Sequence, residues 1–308
     1  MKNSRVWYIT FLQENKVNII LWIFFLFIYF QNRYTSFGYF FAKQFVLMAF
    51  MTIGVSIEML CGDFDLSFAA QIAASTVLAA YFLRQGGSLW LAIILVIGFH
   101  ALAGVWKGFL MAKIRIPSII MTLALQVIFT NLFAVLTEGN SIMFNLGKNY
   151  YSDLHFKVII YLILFLMLTT AIIFMNHTYY GRYCRMIGED MDLTERSGLN
   201  HVAILIIIHV LASLFFSIPA VIMMLQTSSG STTLGTNYLY KVLAAACLGG
   251  IGYQNGKGKI SGMLMGTITM ILLMLLLTGS GYLSRWESII EGVIILSAVL
   301  TKRYKNNN

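Results

Sequence analysis

The sequence predicts an all-α, polytopic membrane protein of about ten transmembrane helices, with the N-terminus and the C-terminus both in the cytoplasm. Three observations carry that fold class. Of 308 residues, 59% are hydrophobic and only 11% charged, against roughly 45–50% and about 25% in soluble domains; the mean hydropathy is +0.79. The apolar residues fall in long unbroken runs, enough for about nine or ten spans of some 20 residues each, whereas an outer-membrane barrel would alternate apolar and polar residues. Lysine and arginine, finally, are skewed toward alternate connections between those runs.

In chain order the spans are expected near 17–31, 44–61, 66–83, 88–111, 117–136, 156–175, 202–225, 238–252, 260–279 and 287–301. The first run, Val17–Phe30, follows Lys2, Arg5 and Lys16 as a signal peptide would. Gln31, Asn32 and Arg33 stand where small residues would mark a cleavage site, so the run is read as a retained helix. The second and third spans are divided by GDFDLS, Gly62–Ser67, a break tolerated at membrane depth only where protein or water covers the freed backbone groups. Pro117 opens the fifth span, where its missing N–H costs nothing. The third and eighth spans are the least marked of the ten. With Pro117 and Pro219 the only prolines, bends and close contacts fall to the 25 glycines, which in membrane helices mostly permit close packing.

An inside N-terminus places Lys2, Arg5, Lys16, Lys107, Lys113, Arg115, Arg182, Arg185, Arg196, Lys257, Lys259, Lys302, Arg303 and Lys305 in the cytoplasm, leaving Arg33, Lys43, Arg84, Lys148, Lys157, Lys241 and Arg285 outside. This 14-to-7 division is the bias of an N-in, C-in protein, and an even number of spans keeps Lys302–Lys305 inside. The net charge of +9 is thus assigned to topology rather than to nucleic acid. No linker or repeat divides the chain, so residues 1–308 read as one transmembrane domain. Cys61, Cys184 and Cys247 are too dispersed for a disulfide framework or a CxxC pair and read as structural.

The largest cytoplasmic connection, 176–201, holds Glu189, Asp190, Asp192 and Glu195, four of the twelve acids. In GEDMDLTERSG, acids lead, Arg196 closes and Gly198 follows, the order of a short helix matched to its dipole and ended by glycine. Nucleotide chemistry is not encoded: Gly256-Lys257 is followed by Gly258, and no glycine stands five residues before Gly256, so the Walker A pattern fails. Neither HExxH nor GxSxG occurs. Catalytic residues, a resident cofactor and a metal are therefore not expected. Lone histidines such as His100 and His209 read as packed or hydrogen-bonded. Among the acids, Glu58, Asp63, Asp65 and Glu291 are the membrane candidates. Asp65 suits both an N-cap and a pathway role; Glu58, within a span, reads either as buried with a partner or as part of a mobile gate.

Four motifs in order, over about residues 45–301, resemble the ribose-type permease subunits of ATP-binding-cassette importers. Gly62-Asp63-Phe64-Asp65-Leu66-Ser67 resembles the GGIDLS signature, and Lys113–Leu123 resembles KLRIPPFIVTL. Tyr180-Gly181-Arg182-Tyr183, Ile187-Gly188-Glu189 and Arg196-Ser197-Gly198-Leu199 resemble the FGRxxxAIGxN...ARLSGI loop. Leu234-Gly235, Leu248-Gly249-Gly250, Gly256-Lys257-Gly258 and Gly262 resemble the glycine-rich C-terminal pattern. Asp63 departs from it by placing a charge at the second glycine of GGIDLS, Ser118 replaces the second proline, and Asn255-Gly256 stands for a Gly-Gly pair.

The resemblance implies the permease fold of a bacterial inner-membrane importer. It implies a second permease subunit, an ATP-binding subunit that uses ATP and Mg, and an extracytoplasmic solute-binding protein, besides the surrounding lipid. It also implies that Arg182, Gly188, Glu189, Arg196 and Gly198 couple the chain to the ATPase; Glu58, Asp65 and Ser67 are the candidates for the translocation pathway or its gate. The expected cargo is a monosaccharide or sugar-like polar solute moved by alternating access. Nucleosides, a furanosyl autoinducer or amino acids are alternative cargoes, and an ion-coupled secondary carrier using Glu58 and Asp65 is the reading from a different class.

Overall fold

Inside a bilayer every backbone N–H and C=O must be bonded within the protein, which leaves an apolar run little choice but helix. The computed structural model describes residues 18–20, 22–23, 37–147, 150, 154–196, 198, 200–252, 256–279, 286, 289–290, 292–293 and 296. Its helices are α1 (Phe37–Leu60), α2 (Phe68–Arg84), α3 (Leu89–Phe109), α4 (Ser118–Leu136), α5 (Leu154–His177), α6 (Tyr179–Glu189), α7 (Met191–Arg196), α8 (His201–Thr227), α9 (Leu239–Leu248) and α10 (Ile260–Gly279). A π-helical turn, Leu110–Ile114, continues α3, and a 3₁₀ turn, Thr236–Tyr238, precedes α9. The strands β1 (Ile142–Met143) and β2 (Ser229–Gly230) form a two-residue antiparallel pair, Ile142 opposite Gly230.

Among the described residues, six helices are long and apolar enough to cross a membrane: α1, α3 with its π turn, α4, α5, α8 and α10. The expected boundaries of these six agree to within two or three residues, except that α1 begins at Phe37 rather than 44 and the fourth span runs on to Ile114; the expected eighth span, 238–252, ends as a helix at Leu248. α2 has 17 residues. α9 has ten, a rise of about 15 Å against a hydrocarbon core of ~30 Å. Of the expected first span only 18–20 and 22–23 are described, all helical, and of the tenth only 289–290, 292–293 and 296. The charges Lys2, Arg5, Lys16, Arg33, Lys148, Arg285, Glu291, Lys302, Arg303 and Lys305 lie outside the described residues.

The chain divides into two compact units. One holds residues 1–52, 240–251 and 258–308, the other 53–239 and 252–257. In the first, Asn18 donates to the Leu248 carbonyl and accepts from Thr269 Oγ1, each at 3.1 Å, and Trp22 Nε1 donates to Thr269 Oγ1 at 2.7 Å. These bonds tie the N-terminal helical residues to α9 and α10. Gly249, Gly262 and Gly266 stand where any Cβ would strike the backbone of the facing segment.

In the second unit, α3 and α8 lie backbone against backbone. A Cβ on Gly104 would fall 2.6 Å from Val210 Cα, and one on Gly108 would fall 2.6 Å from Ile206 Cα, the close approach that small residues four apart permit between membrane helices. Trp90, Ile94, Leu102 and Trp106 of α3, Val127 and Val135 of α4, and Val158 and Phe165 of α5 point outward, as hydrocarbon-facing surfaces do. None of the three cysteines forms a disulfide, and Cys61 and Cys184 are buried; Cys184 Sγ lies 3.7 Å from the Ile57 carbonyl.

Candidate functional site

The GDFDLS break is where the second unit concentrates charge. At the end of α1 the chain turns through Gly62, whose φ of 89° is left-handed and favours glycine, and the Cys61 and Asp63 amides both donate to the Glu58 carbonyl. Ser67 is the N-cap of α2 by position but makes no side-chain cap bond. The expectation that Asp65 caps that helix is corrected: its Oδ1 accepts from the Ser67 amide and hydroxyl, each at 2.6 Å. The carboxylate therefore holds the turn before the helix, leaving α2's own amides unbonded by it. Gln71, one turn into α2, donates to Ser67 Oγ at 2.7 Å.

The other carboxylate oxygen of Asp65 meets a cation. Lys107 of α3 is fully buried and its Nζ lies 2.6 Å from Asp65 Oδ2 and 2.7 Å from Glu58 Oε1, with the Phe216 ring centroid at 5.5 Å. From α8, His209 sets Nδ1 2.9 Å from Glu58 Oε1 and Nε2 3.0 Å from Asp63 Oδ2. Carboxylates only accept when ionised, so a ring facing two of them satisfies both only by donating from both nitrogens. Four elements thus converge on one cluster: Glu58 from α1, Asp63 and Asp65 from the break, Lys107 from α3 and His209 from α8.

This corrects one assignment and bears on another. Lys107 is not a cytoplasmic anchor; it lies inside the expected span 88–111 and pairs with two acids there, which leaves 13 anchors against 7. Glu58 is buried with partners. The sequence held the signal for Lys107, since an ionised side chain inside an apolar run is costly without a buried counter-charge. His209 shows no such signal, because its partners come from 146 and 151 residues away. His100 is likewise hydrogen-bonded, to Ser75 Oγ at 3.1 Å. No group of three His, Cys, Asp or Glu among the described residues could hold a metal ion; the ammonium of Lys107 already sits between two of the acids.

The 176–201 segment forms two helices where one was expected. Asp192 lies in the first turn of α7 and Arg196 in its last, and Gly198 follows with φ 78°, as the charge order predicts. The missed helix, α6, is amphipathic. Gly181, Cys184, Ile187 and Gly188 are buried while Tyr179, Arg182, Met186 and Glu189 are exposed, and Thr178 Oγ1 caps it by accepting from the Gly181 amide at 3.3 Å. The structure therefore separates the five coupling candidates. Arg182 and Glu189 share the exposed face of α6, Arg196 and Gly198 are exposed beyond it, and Gly188 is buried. A Cβ on Gly188 would strike the Leu60 carbonyl oxygen and lie 3.1 Å from both Cys61 C and Gly256 N, so α6 seats directly on the end of α1.

Comparison with known proteins bears on this arrangement. The family described as branched-chain amino acid transport system / permease component matches residues 37–299. The chain is 30% identical over 275 residues to the ribose import permease protein RbsC of Escherichia coli K12, covering 85% of this chain and 84% of that one. It is 30% identical over 256 residues to the L-arabinose transport system permease protein AraH of the same organism, covering 79% and 75%. With the fructose import permease protein FrcC of Rhizobium meliloti it shares 26% identity over 271 residues, covering 83% and 75%. No solved structure matches.

Proposed function

The chain belongs to the permease-component family of branched-chain amino acid transport systems, and from that membership we propose that it is the membrane-spanning subunit of an ATP-driven, binding-protein-dependent importer of a monosaccharide or a similar small polar solute. The observation that carries the cargo class is that relatives matched over most of their length are named for ribose, arabinose and fructose. The chain is a transport subunit of the inner membrane; ATP and Mg are used by a partner ATPase, a second permease subunit completes the pathway, and a solute-binding protein delivers cargo. Arg182, Glu189, Arg196 and Gly198 meet the ATPase, with Gly188 seating α6 behind them. Glu58, Asp65 and Ser67 belong to the gate. What supports the gate reading is that the GDFDLS break is non-helical backbone whose Asp65, with Glu58 beside it, is buried and paired to Lys107 of α3.

The topology that accompanies this reading is about ten transmembrane segments with both ends cytoplasmic, supported by the 13-to-7 division of basic residues. In it α2 and α9 are short spans completed by protein-covered loops. A cysteine placed at Asn200, which is exposed, is expected to resist impermeant thiol reagents in intact cells and to react in inverted vesicles; labelling from outside would refute the cytoplasmic segment.

Affinity purification of the full chain is expected to bring down an ATPase, with no hydrolysis by the chain alone, and the cargo is then read from the ligand of the associated binding protein. The buried acids also motivate the ion-coupled alternative. Uptake by the isolated chain in liposomes, driven by a proton or sodium gradient, would establish that alternative and overturn the importer reading.

A further inference from the structure

Arg115 lies between the π turn that ends α3 and the start of α4, with left-handed backbone, φ 58°, a conformation that non-glycine residues adopt uncommonly. Its Nη2 donates to both carboxylate oxygens of Glu195, each at 2.5 Å. Glu195 belongs to α7, and its Oε1 also lies 3.0 Å from His201 Nε2 at the first residue of α8. The far side of the same turn is bonded to the break. The Phe64 amide donates to Ser118 Oγ at 3.2 Å, and Thr122 Oγ1, 2.8 Å from the Ser118 carbonyl, also lies 3.0 Å from the Phe64 carbonyl. Phe64 stands between Asp63 and Asp65. A continuous run of bonds therefore leads from α7 through Arg115, Pro117 and Ser118 to the backbone of GDFDLS.

We propose that Arg115 is a positioning residue whose contact with Glu195 is a strut, carrying displacement of the 176–201 segment across the Ile116–Ser118 turn to Phe64 and the charged break. The proposal rests on the coupling role given above to that segment. The Arg115 side chain is 58% exposed and that of Glu195 23%, and ion pairs so placed contribute little to folding. Removing the strut should spare the fold and lose the transmission. Ser118 has a defined part in it: at the position where the resembling motif has a second proline, its hydroxyl is the acceptor that the Phe64 amide uses.

The test uses the reconstituted importer, with its ATPase and binding protein, and reads solute taken up per ATP hydrolysed beside the unfolding temperature of the purified chain. Arg115→Ala and Glu195→Ala are each expected to lower that ratio about five-fold or more, the lower end of common coupling effects, with the unfolding temperature unchanged. The double variant should be no worse than either single one, because both remove one contact; Arg115→Lys should keep part of the ratio. A wild-type ratio in the single variants, additive losses in the double variant, or a lowered unfolding temperature would each overturn the strut while leaving the importer reading intact. A wild-type chain that binds no ATPase would overturn both.

Discussion

Replacing Lys107 with methionine is expected to remove most of the correctly folded chain that can be recovered from membranes. Methionine fills nearly the same volume, so the change isolates the charge. The ammonium is fully buried between Glu58 Oε1 and Asp65 Oδ2, and deleting it leaves two carboxylates facing each other in a space from which α3 and α8 exclude solvent. Losing one partner of a buried pair costs about 3–5 kcal/mol, a large part of the roughly 5–15 kcal/mol that holds a domain folded. Lys107→Arg should not restore the wild-type state, since the larger planar head must fit where Gly104 and Gly108 bring α3 onto α8. The triple variant Lys107→Met, Glu58→Gln, Asp65→Asn should recover part of the yield, because neutral amides no longer need the cation. Size-exclusion profiles and thermal unfolding of detergent-purified protein measure all three. A methionine variant with the wild-type unfolding temperature would show that the network does not hold α1, α3 and the break together.

The helical course of this chain was legible because bilayer physics acts on composition. Runs of apolar residues become helices, and α4, α5, α8 and α10 begin and end within about two residues of where their runs do. The dipole order of GEDMDLTERSG likewise announced α7. Three features were hidden for physical reasons. α6 escaped because its apolar residues, Cys184 and Ile187, are interleaved with glycines whose value lies in approach to the end of α1, which no local pattern records. Lys107 was misread because a lysine near a span end resembles an anchor until its partners are known. The Glu58–His209 and Arg115–Glu195 contacts join residues 151 and 80 positions apart, and only the tertiary fold brings such groups together. Asp63 shows the converse. The sequence marked it as a charge where a glycine was expected, and the structure supplies its counterpart in His209.

Gly188→Ala should weaken both the fold and transport, and the pairing of those two losses is what identifies its role. The added Cβ meets the Leu60 carbonyl oxygen, Cys61 C and Gly256 N, all backbone atoms, so no side-chain rotation relieves the contact. Gly62, with φ 89°, faces Gly188 from the other side, where a Cβ on it would lie 3.2 Å from Gly188 Cα. The helix must therefore lift off the end of α1, at a cost of about 1–3 kcal/mol for overpacking. Its exposed face of Tyr179, Arg182, Met186 and Glu189 is then displaced from the break that begins two residues beyond Leu60. The expected result is a lower unfolding temperature, partial retention of the ATPase complex and a lower ratio of uptake to hydrolysis; Gly188→Val should do more of each. Glu189→Gln supplies the contrast. Glu189 is exposed, so its substitution should leave the unfolding temperature unchanged and lower only the transport ratio. If Gly188→Ala altered the ratio with no change in unfolding temperature, the buried glycine would be acting at the partner's surface, and the seat of α6 on α1 would not be what fixes it.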